Sequence, residues 1–229
     1  MAGPIAHILL AMAVLQILPD KNQDEFLLGT SFPDIRYLKV ISREQTHNNS
    51  VTWRDIINEP SSFKAGMLLH ALVDRERQLY MAKHEVYDFI PKTRYCSHAL
   101  KLFEDKLLYE KISDYNVTWQ QVTNCFNNIC PEEETFNIKK RHLWLWHTFL
   151  KLYCRYPGTM RFMNRFAGSI PLIHSAASTE IMQLMLQFQK NEKLKTVIVD
   201  FYQYFKEKIK QHYGIAITCN IAALQPTGS

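Results

Sequence analysis

The sequence has few of the residues and motifs that mark several common protein classes. Only 7 of its 229 residues are glycine and 9 are proline, which disfavours collagen, low-complexity linkers and a glycine-rich sandwich or Rossmann fold. Its 5 cysteines are odd in number and form no C-x-x-C pair, so neither a cysteine-based zinc finger nor a disulfide framework is expected. We predict free, mostly buried thiols in a reducing compartment. No run of five or more like charges occurs, which disfavours a nucleic-acid-binding tail.

The residues that are abundant favour a helical domain. Apolar residues make up 47% and charged residues 21%, near the globular average, and the plentiful Leu, Met, Lys, Gln and Ala are good helix formers. We therefore predict an all-α fold, in which residues 1–214 form one multi-helix bundle and residues 215–229 form a loosely held tail. A net charge of +5 and a pI of about 8.9 favour anionic partners such as phosphate esters or anionic membrane surfaces.

The apolar stretch over residues 5–18 is predicted to be a buried first helix. Gly3 and Pro4 precede it, and proline is favoured at the first helical position. The stretch is too short to span a bilayer core of about 30 Å. No Lys or Arg precedes the stretch, although a signal peptide would require one. The residues after it, Pro19, Asp20 and Lys21, do not form a good signal-peptide cleavage site. We expect a protein that is cytoplasmic or delivered without a cleaved signal peptide, with secretion as the alternative.

Helix-forming patterns and stop signals predict the remaining elements. Gly29 is predicted to end a short second helix, residues 30–49 are predicted to be irregular, and Ser61 and Ser62 offer a cap for a long helix. The aromatic segment around Trp144 and Trp146 is predicted to belong to the core. The predicted helices cover residues 5–18, 23–28, 51–57, 63–87, 97–113, 118–128, 131–156, 160–166, 171–189 and 192–213.

Two histidine–carboxylate pairs occur at the helical spacing i, i+4. Residues at this spacing share a helix face, with Cβ atoms about 5–6 Å apart, so that one imidazole and one carboxylate can reach one metal ion. His70 and Asp74 lie in an apolar setting, where a buried histidine–carboxylate pair calls for a structural or functional explanation. His84 and Asp88 lie among polar residues and indicate a solvated face. About 21 Å of continuous helix would separate the two pairs, so they cannot serve one metal cluster.

Three further candidates are individually ambiguous. His7 is the one ionisable residue of the first apolar helix, and a lone histidine there is most often a neutral core residue. Asp34 follows Pro33 in a predicted loop, where an acid is usually a turn or cap residue. His47 alone would be an ordinary surface histidine.

The order and spacing of these residues resemble the zinc-dependent phospholipase C family, which is related to the S1/P1 nucleases. The resemblance covers about residues 3–80. It rests on Gly-Pro-Ile-x-His from Gly3, Phe-Leu-Leu-Gly-x-x-x-Pro-Asp ending at Asp34, Thr-His at His47, and Gly-x-x-x-His-x-x-x-Asp from Gly66. The resemblance implies a helical bundle of the phospholipase C and P1 nuclease type.

The resemblance also implies a role for each of five residues. His7, His47 and His70 would be zinc ligands, Asp34 would be a ligand and a general base, and Asp74 would bridge two zinc ions. Two such cations polarise phosphoryl oxygens and lower the pKa of a water molecule. Histidine and carboxylate ligands without cysteine suit zinc, although manganese and iron are less firmly disfavoured.

The sequence departs from the family at the third zinc. Secreted members hold it with further histidines and a His-x-x-x-Glu, a motif that occurs nowhere in this chain. They also use a processed N-terminal amine as a ligand. We therefore expect two zinc ions rather than three. The HD-type phosphohydrolases are a poor alternative, because they need an adjacent His-Asp pair and the sequence has none.

The expected function is that of a metal-dependent phosphoric ester hydrolase, in which a metal-activated water attacks the phosphorus of a phospholipid or another phosphodiester. Peripheral contact with a membrane would fit a phospholipid substrate, and no transmembrane segment is predicted. Two alternatives stay open. One is a non-catalytic helical module that binds a protein or membrane partner and keeps a structural or relic metal site. The other is an S1/P1-like nuclease, although the sequence does not favour a nucleic acid substrate.

Overall fold

The structure, a computed structural model, describes residues 2–47, 50–157 and 175–223, with side chains up to residue 213 and from residue 177 in the last of these segments. Helices make up the fold, and no strand occurs among the described residues, which confirms the predicted all-α class. The α-helices of this part are α1 (Pro4–Leu15), α2 (Gln23–Ser31), α3 (Trp53–Asn58), α4 (Ser62–Lys83), α5 (Val86–Phe89), α6 (Cys96–Leu108), α7 (Trp119–Val122), α8 (Pro131–Glu134), α9 (Lys140–Arg155), α10 (Ser175–Gln189) and α11 (Glu192–Ala223). Short 3-10 helices cover Phe32–Leu38, Tyr109–Tyr115 and Thr123–Asn127.

Helix α1 forms the centre of the fold. Pro4 lies in its first turn, where its missing N–H costs no hydrogen bond, and every residue from Ile5 to Val14 is buried. A helix that is apolar on all sides has to be enclosed by other elements. Helices α2, α4, α6 and α11 pack against α1, and this packing brings His7 into the interior.

Helices α2 and α4 pack with their backbones in contact. A Cβ atom on Gly29 would overlap the Phe63 carbonyl oxygen, and one on Gly66 would overlap the Phe26 carbonyl oxygen and lie 2.7 Å from the Thr30 nitrogen. Only glycine allows this approach, because any larger residue would force the helices apart. Gly29 therefore lies within α2 rather than at its end, and the prediction that it stops the helix is wrong.

Several predicted boundaries are corrected by residues with left-handed backbone. Glu85 has a φ of 55° and separates α4 from α5, and Asn137 has a φ of 56° between α8 and α9. An α-helix cannot pass through this conformation. The continuous helices predicted over residues 63–87 and 131–156 are therefore each divided. The cap predicted for α4 is confirmed, since the Ser61 side chain accepts a hydrogen bond from the Lys64 nitrogen at 3.2 Å.

Other boundaries differ from the predictions in kind or in extent. The segment over residues 30–49, predicted to be irregular, begins with the 3-10 helix Phe32–Leu38, and the predicted helices over 97–113 and 118–128 end in 3-10 turns. Helix α11 continues beyond Gly214 to Ala223. The helix predicted over residues 160–166, the start of that over 171–189 and the end of the tail lie outside the described residues.

The predicted state of the cysteines is confirmed where their side chains are described. Cys96, Cys125, Cys130 and Cys154 are buried free thiols. The aromatic segment on α9 is divided, because Trp146 is buried whereas Trp144 is 44% exposed. Its assignment to the core is therefore correct for Trp146 and wrong for Trp144.

In the part of the chain covered by the structure, none of the helices has the length and apolar character needed to cross a bilayer.

Candidate metal centre

His70 and Asp74 lie on the face of α4 that points into the bundle. Both are buried, and they are one helical turn apart, as the i, i+4 spacing predicts. The close crossing of α2 and α4 brings the Thr30 carbonyl oxygen within 2.8 Å of His70 Nδ1. The glycine of the Gly-x-x-x-His-x-x-x-Asp motif thus has a structural role, because Gly66 allows the approach that positions the His70 ring.

His7 reaches the same place from α1, whose first turn is held by a buried carboxylate. Asp105 on α6 accepts a hydrogen bond from the Ala6 nitrogen at 2.9 Å and another from the Tyr153 hydroxyl at 2.6 Å. Burial raises the pKa of Asp105 to about 7, although both hydrogen bonds oppose the shift. Asp105 and Tyr153 were not predicted from the sequence, since they lie far from the motifs and belong to no recognisable pattern.

Asp34 is placed by the 3-10 helix that follows α2. Pro33 lies in its first turn and Asp34 is buried. Arg36, two residues later, contacts Asp34 Oδ1 through a guanidinium nitrogen at 3.0 Å. Burial alone would raise the pKa of Asp34, but the nearby His70, Lys101 and Arg36 outweigh it, and the pKa is lowered. Asp34 is therefore a carboxylate at neutral pH.

His47 lies in the loop between the Phe32–Leu38 helix and α3, and it is buried rather than on the surface. The Thr46 hydroxyl donates to the Arg43 carbonyl oxygen at 3.3 Å and lies 2.9 Å from His47 Nδ1. In the tautomer that carries its proton on Nδ1, His47 donates to the Thr46 hydroxyl, whose own proton is then directed at the Arg43 carbonyl oxygen. This fixes the ring with its Nε2 lone pair free to bind a ligand.

The structure brings all five predicted residues together. None of them is more than 8% exposed. His7 Nε2 lies 3.3 Å from Asp74 Oδ1, while His47 Nε2 and His70 Nε2 lie 3.7 and 3.8 Å from Asp74 Oδ2. His70 Nε2 is 4.0 Å from Asp34 Oδ1. Ligand atoms on one tetrahedral zinc ion are about 3.3–3.6 Å apart, so these separations are close to those of a coordination shell.

Two groups of ligand atoms are able to hold a metal ion. His7, His70 and Asp74 form one group, and Asp34, His47 and His70 form the other, with the atoms of each group within 4.8 Å of one another. His70 belongs to both groups, but its one free nitrogen, Nε2, can bind only one ion, because Nδ1 contacts the Thr30 carbonyl oxygen. In the second pair of the sequence, by contrast, Asp88 is exposed and His84 stacks on Tyr80, which agrees with the predicted solvated face.

Two of the imidazoles, those of His47 and His70, are oriented for coordination by the contacts of their Nδ1 atoms. His70 Nδ1–H donates to the Thr30 carbonyl oxygen, which leaves Nε2 with a lone pair directed at the carboxylates. Nε2 of His7, His47 and His70 is buried without a hydrogen-bond partner in the described structure. Buried polar atoms almost always have a partner. Histidine ligands of metals commonly donate their other N–H to a carbonyl or hydroxyl, and the contacts of His47 and His70 fit this pattern, whereas His7 Nδ1 has no hydrogen-bond partner in the described structure.

The protonation states of His70 and Asp74 also suit metal binding. Burial lowers the pKa of His70 to about 3, and the neighbouring His7, whose ring stacks on it at 3.9 Å, contributes to this shift. Burial would raise the pKa of Asp74, but the adjacent His47, His7 and His70 outweigh it and the pKa lies well below its ordinary value. Neutral imidazole and ionised carboxylate are the forms that bind metals.

The N-terminal segment touches the same cluster. Ala2 is fully buried, and its backbone nitrogen donates to Asp74 Oδ1 at 2.8 Å. This contact and Arg36 are features that the sequence did not predict, since motif spacing concerns the ligands and not the groups that hold them.

Comparison with family models, with curated proteins and with solved structures gave no match to this chain. The resemblance to zinc-dependent phospholipase C therefore stays a prediction from the motifs.

Proposed function

We propose that the chain is a zinc-dependent phosphoric ester hydrolase with two metal ions. The observation that carries this proposal is the meeting of three imidazoles and two carboxylates from separate elements, with the three imidazole Nε2 atoms buried and without hydrogen-bond partners. The stability of the fold does not explain such an arrangement, because each buried polar group without a partner destabilises the folded state. A bound cation removes this cost.

The donor atoms support zinc as the metal and two as the number. Imidazole nitrogen and carboxylate oxygen suit zinc, and no cysteine belongs to either ligand group. Asp74 directs Oδ1 to His7 and Oδ2 to His47 and His70. A carboxylate whose two oxygens face different imidazoles is suited to bridge two cations.

The residues around the centre have separable roles in the proposed reaction. Bound zinc ions would polarise the phosphoryl oxygens and lower the pKa of a water molecule. Asp34, ionised at neutral pH, accepts a proton from the attacking water. Arg36 holds the Asp34 carboxylate through the 3.0 Å contact. The hydrogen bonds from His70 to Thr30 and from His47 to Thr46 fix the rings.

Turnover of bis(p-nitrophenyl) phosphate by zinc-loaded protein tests this function, with phosphatidylcholine vesicles and single-stranded DNA as further substrates. We expect hydrolysis that is lost with a chelator and restored by zinc. The Asp34→Asn variant should be slower by about 100- to 10,000-fold, while Asp88→Asn should retain activity. Zinc-loaded wild-type protein that cleaves none of these phosphodiesters would refute the hydrolase. Cleavage of DNA alone would instead favour a nuclease.

One observation favours a second function, that of a binding module with a structural metal site. Every candidate ligand is at most 8% exposed, which restricts access of a substrate to the metals. In this case the double variant His70→Ala/Asp74→Ala would lower the melting temperature and lose zinc, with no turnover to lose in the parent protein. Phosphodiesterase activity in the wild type that disappears in the double variant would argue against it.

A further inference from the structure

A cavity of about 570 Å³ adjoins the candidate metal centre. This is within the range of about 300–1,000 Å³ that ligand pockets occupy. We call it the cationic cavity, and the residues of its wall used below are Arg36, Tyr37, Lys39, Arg77, His98 and Lys101. Arg36 belongs both to this wall and to the contact with Asp34, so the cavity begins one side chain away from the candidate metal ligands.

The wall of the cationic cavity carries positive charge without acidic residues. It includes two arginines and two lysines, and no aspartate or glutamate is among its described residues. The charge of Arg77 is balanced behind the wall, where Nε lies 2.7 and 3.1 Å from the two oxygens of the buried Glu104. Lys39 and Lys101 form no direct ion pair with a described carboxylate. Burial alone would lower the pKa of Lys101, but Asp34 and Asp74 act on it from a longer distance and raise the pKa. The cavity thus presents a surplus of positive charge to a ligand.

Lys101 is the central group of this surplus. Its Nζ donates to the Tyr37 hydroxyl at 2.8 Å, and it is partly buried. An ammonium taken out of water is unfavourable unless an anion compensates it. His98 adds a second unsatisfied group, since its Nδ1 is buried without a hydrogen-bond partner in the described structure. Lys101 can donate to an anion in the cavity, whereas His98 Nδ1 is buried behind the wall.

The start of α6 adds to this field. Ser97 and His98 lie in its first turn and in the cavity wall. This turn contains no acidic residue, and no side chain caps it. The first N–H groups of a helix carry partial positive charge. Here they reinforce the side-chain cations rather than forming a site alone.

We propose that the cationic cavity binds a second phosphate group of the substrate. The preferred phosphodiester then carries a further phosphate on one of its alcohol halves, and a quaternary ammonium head group is disfavoured there. The inference rests on the proposed function, since it assigns a substrate class to the same site. The specificity comes from Lys101 and Lys39, which hold the second phosphate while Asp34 faces the phosphorus that reacts.

Binding of glycerol 3-phosphate to zinc-loaded protein, measured by titration calorimetry, tests the cavity without turnover. We expect Lys101→Met to weaken binding by about 10- to 100-fold, and Lys101→Arg to retain part of it. Lys190→Met is the matched control, because it removes the same charge from an exposed lysine outside the cavity. Lys39→Met provides a second variant at an exposed residue of the rim, where a substitution leaves the packing of the core intact. Equal affinity in wild type and in both methionine variants of the cavity would overturn the proposal.

Measurement of phosphodiester turnover tests the same proposal independently. Two p-nitrophenyl phosphodiesters of glycerol are compared, one with a further phosphate on the glycerol and one without. We expect the wild type to prefer the phosphorylated substrate in kcat/KM, Lys101→Met to lose this preference while it retains zinc, and Lys190→Met to keep it. If neither substrate were turned over, the proposed hydrolase activity would be refuted, but the calorimetric titration would still test whether the cationic cavity binds phosphate. A wild type that prefers the unphosphorylated substrate would overturn the proposal.

Discussion

Two buried histidine–carboxylate contacts in this protein differ by the space that separates their atoms. His147 Nε2 lies 2.8 Å from Glu133 Oε1, an ordinary hydrogen bond between residues that are each 1% exposed. In the candidate metal centre the corresponding contacts to Asp74 are 3.3, 3.7 and 3.8 Å long. The chemistry and the burial are the same. The longer separations leave room for a cation between the groups.

A second difference lies behind the imidazoles. His70 and His47 bond outward through Nδ1, to the Thr30 carbonyl and the Thr46 hydroxyl, and turn Nε2 toward the carboxylates. His147 turns Nε2 to Glu133, and its Nδ1 is buried without a hydrogen-bond partner in the described structure. Burial of a histidine next to an acid therefore does not indicate a metal site by itself. The features that favour a metal site are the longer distances between imidazole nitrogen and carboxylate oxygen and the direction of the Nε2 lone pair.

The largest expected effect separates these two histidines. His70→Ala should release zinc and abolish phosphodiester hydrolysis, a loss greater than the about 10- to 100-fold that an outer partner of a ligand costs. His147→Ala should leave the zinc content unchanged. It should lower the free energy of unfolding by about 3–5 kcal/mol if Glu133 is left charged and buried. Zinc analysis and chemical denaturation measure both variants. Loss of zinc from His147→Ala, with none from His70→Ala, would reverse the comparison.

The next effect concerns Asp105, which holds α1 and hence His7. Because its pKa is raised to about 7 in the folded protein from an ordinary 3.8, the folded state binds the proton more tightly than the unfolded state. The stabilisation is therefore complete below about pH 4 and is lost as the pH rises through 7. Subtracting the pH dependence of Asp105→Asn from that of the wild type, both with chelator, should reveal a decline on the order of a few kcal/mol. Identical pH profiles of stability in the wild type and in Asp105→Asn would contradict a raised pKa of Asp105.

A smaller effect is expected at the crossing of α2 and α4. Gly66→Ala places a methyl group against the backbone of Phe26 and Thr30, so it should lower the free energy of unfolding by about 1–3 kcal/mol and weaken zinc binding, because the His70–Thr30 hydrogen bond depends on this approach. Leu79→Ala, at a side chain that is 60% exposed, is the control. A Gly66→Ala variant as stable as the wild type would show that the helices separate without cost.

The smallest effect concerns the partner of His47. Thr46→Ala removes the hydroxyl that orients the ring, and we expect zinc affinity to fall by about 10- to 100-fold. Thr52→Ala is the matched control, since it removes the cap of α3. It should reduce stability by about 1 kcal/mol and leave zinc affinity intact. Competition with a chromogenic chelator distinguishes the two, and equal affinities would argue against orientation by Thr46.

The candidate site was more predictable than the boundaries of the helices around it. His70 and Asp74 follow from helical spacing, and the motifs of the resemblance added the other three residues, because ligands recur in a fixed order along the chain. Gly29 misled the prediction, since its role is a contact with α4 that local sequence does not contain. The break at Asn137 was missed because no glycine or proline marks it.

The surroundings of the site could not be predicted at all. Asp105 is 99 residues from Ala6, and Lys101 is 64 residues from Tyr37. Such contacts arise only when α6 packs beside α1 and the Phe32–Leu38 helix. The cationic cavity and the anchor of α1 are therefore properties of the folded chain rather than of any one segment.

The most direct test of a metal centre is the amount of zinc bound to the wild-type protein after expression with zinc and gel filtration. We predict about two zinc ions per chain, and fewer in His70→Ala but not in His147→Ala. Wild-type protein that is folded and carries no metal after zinc has been supplied would contradict the account.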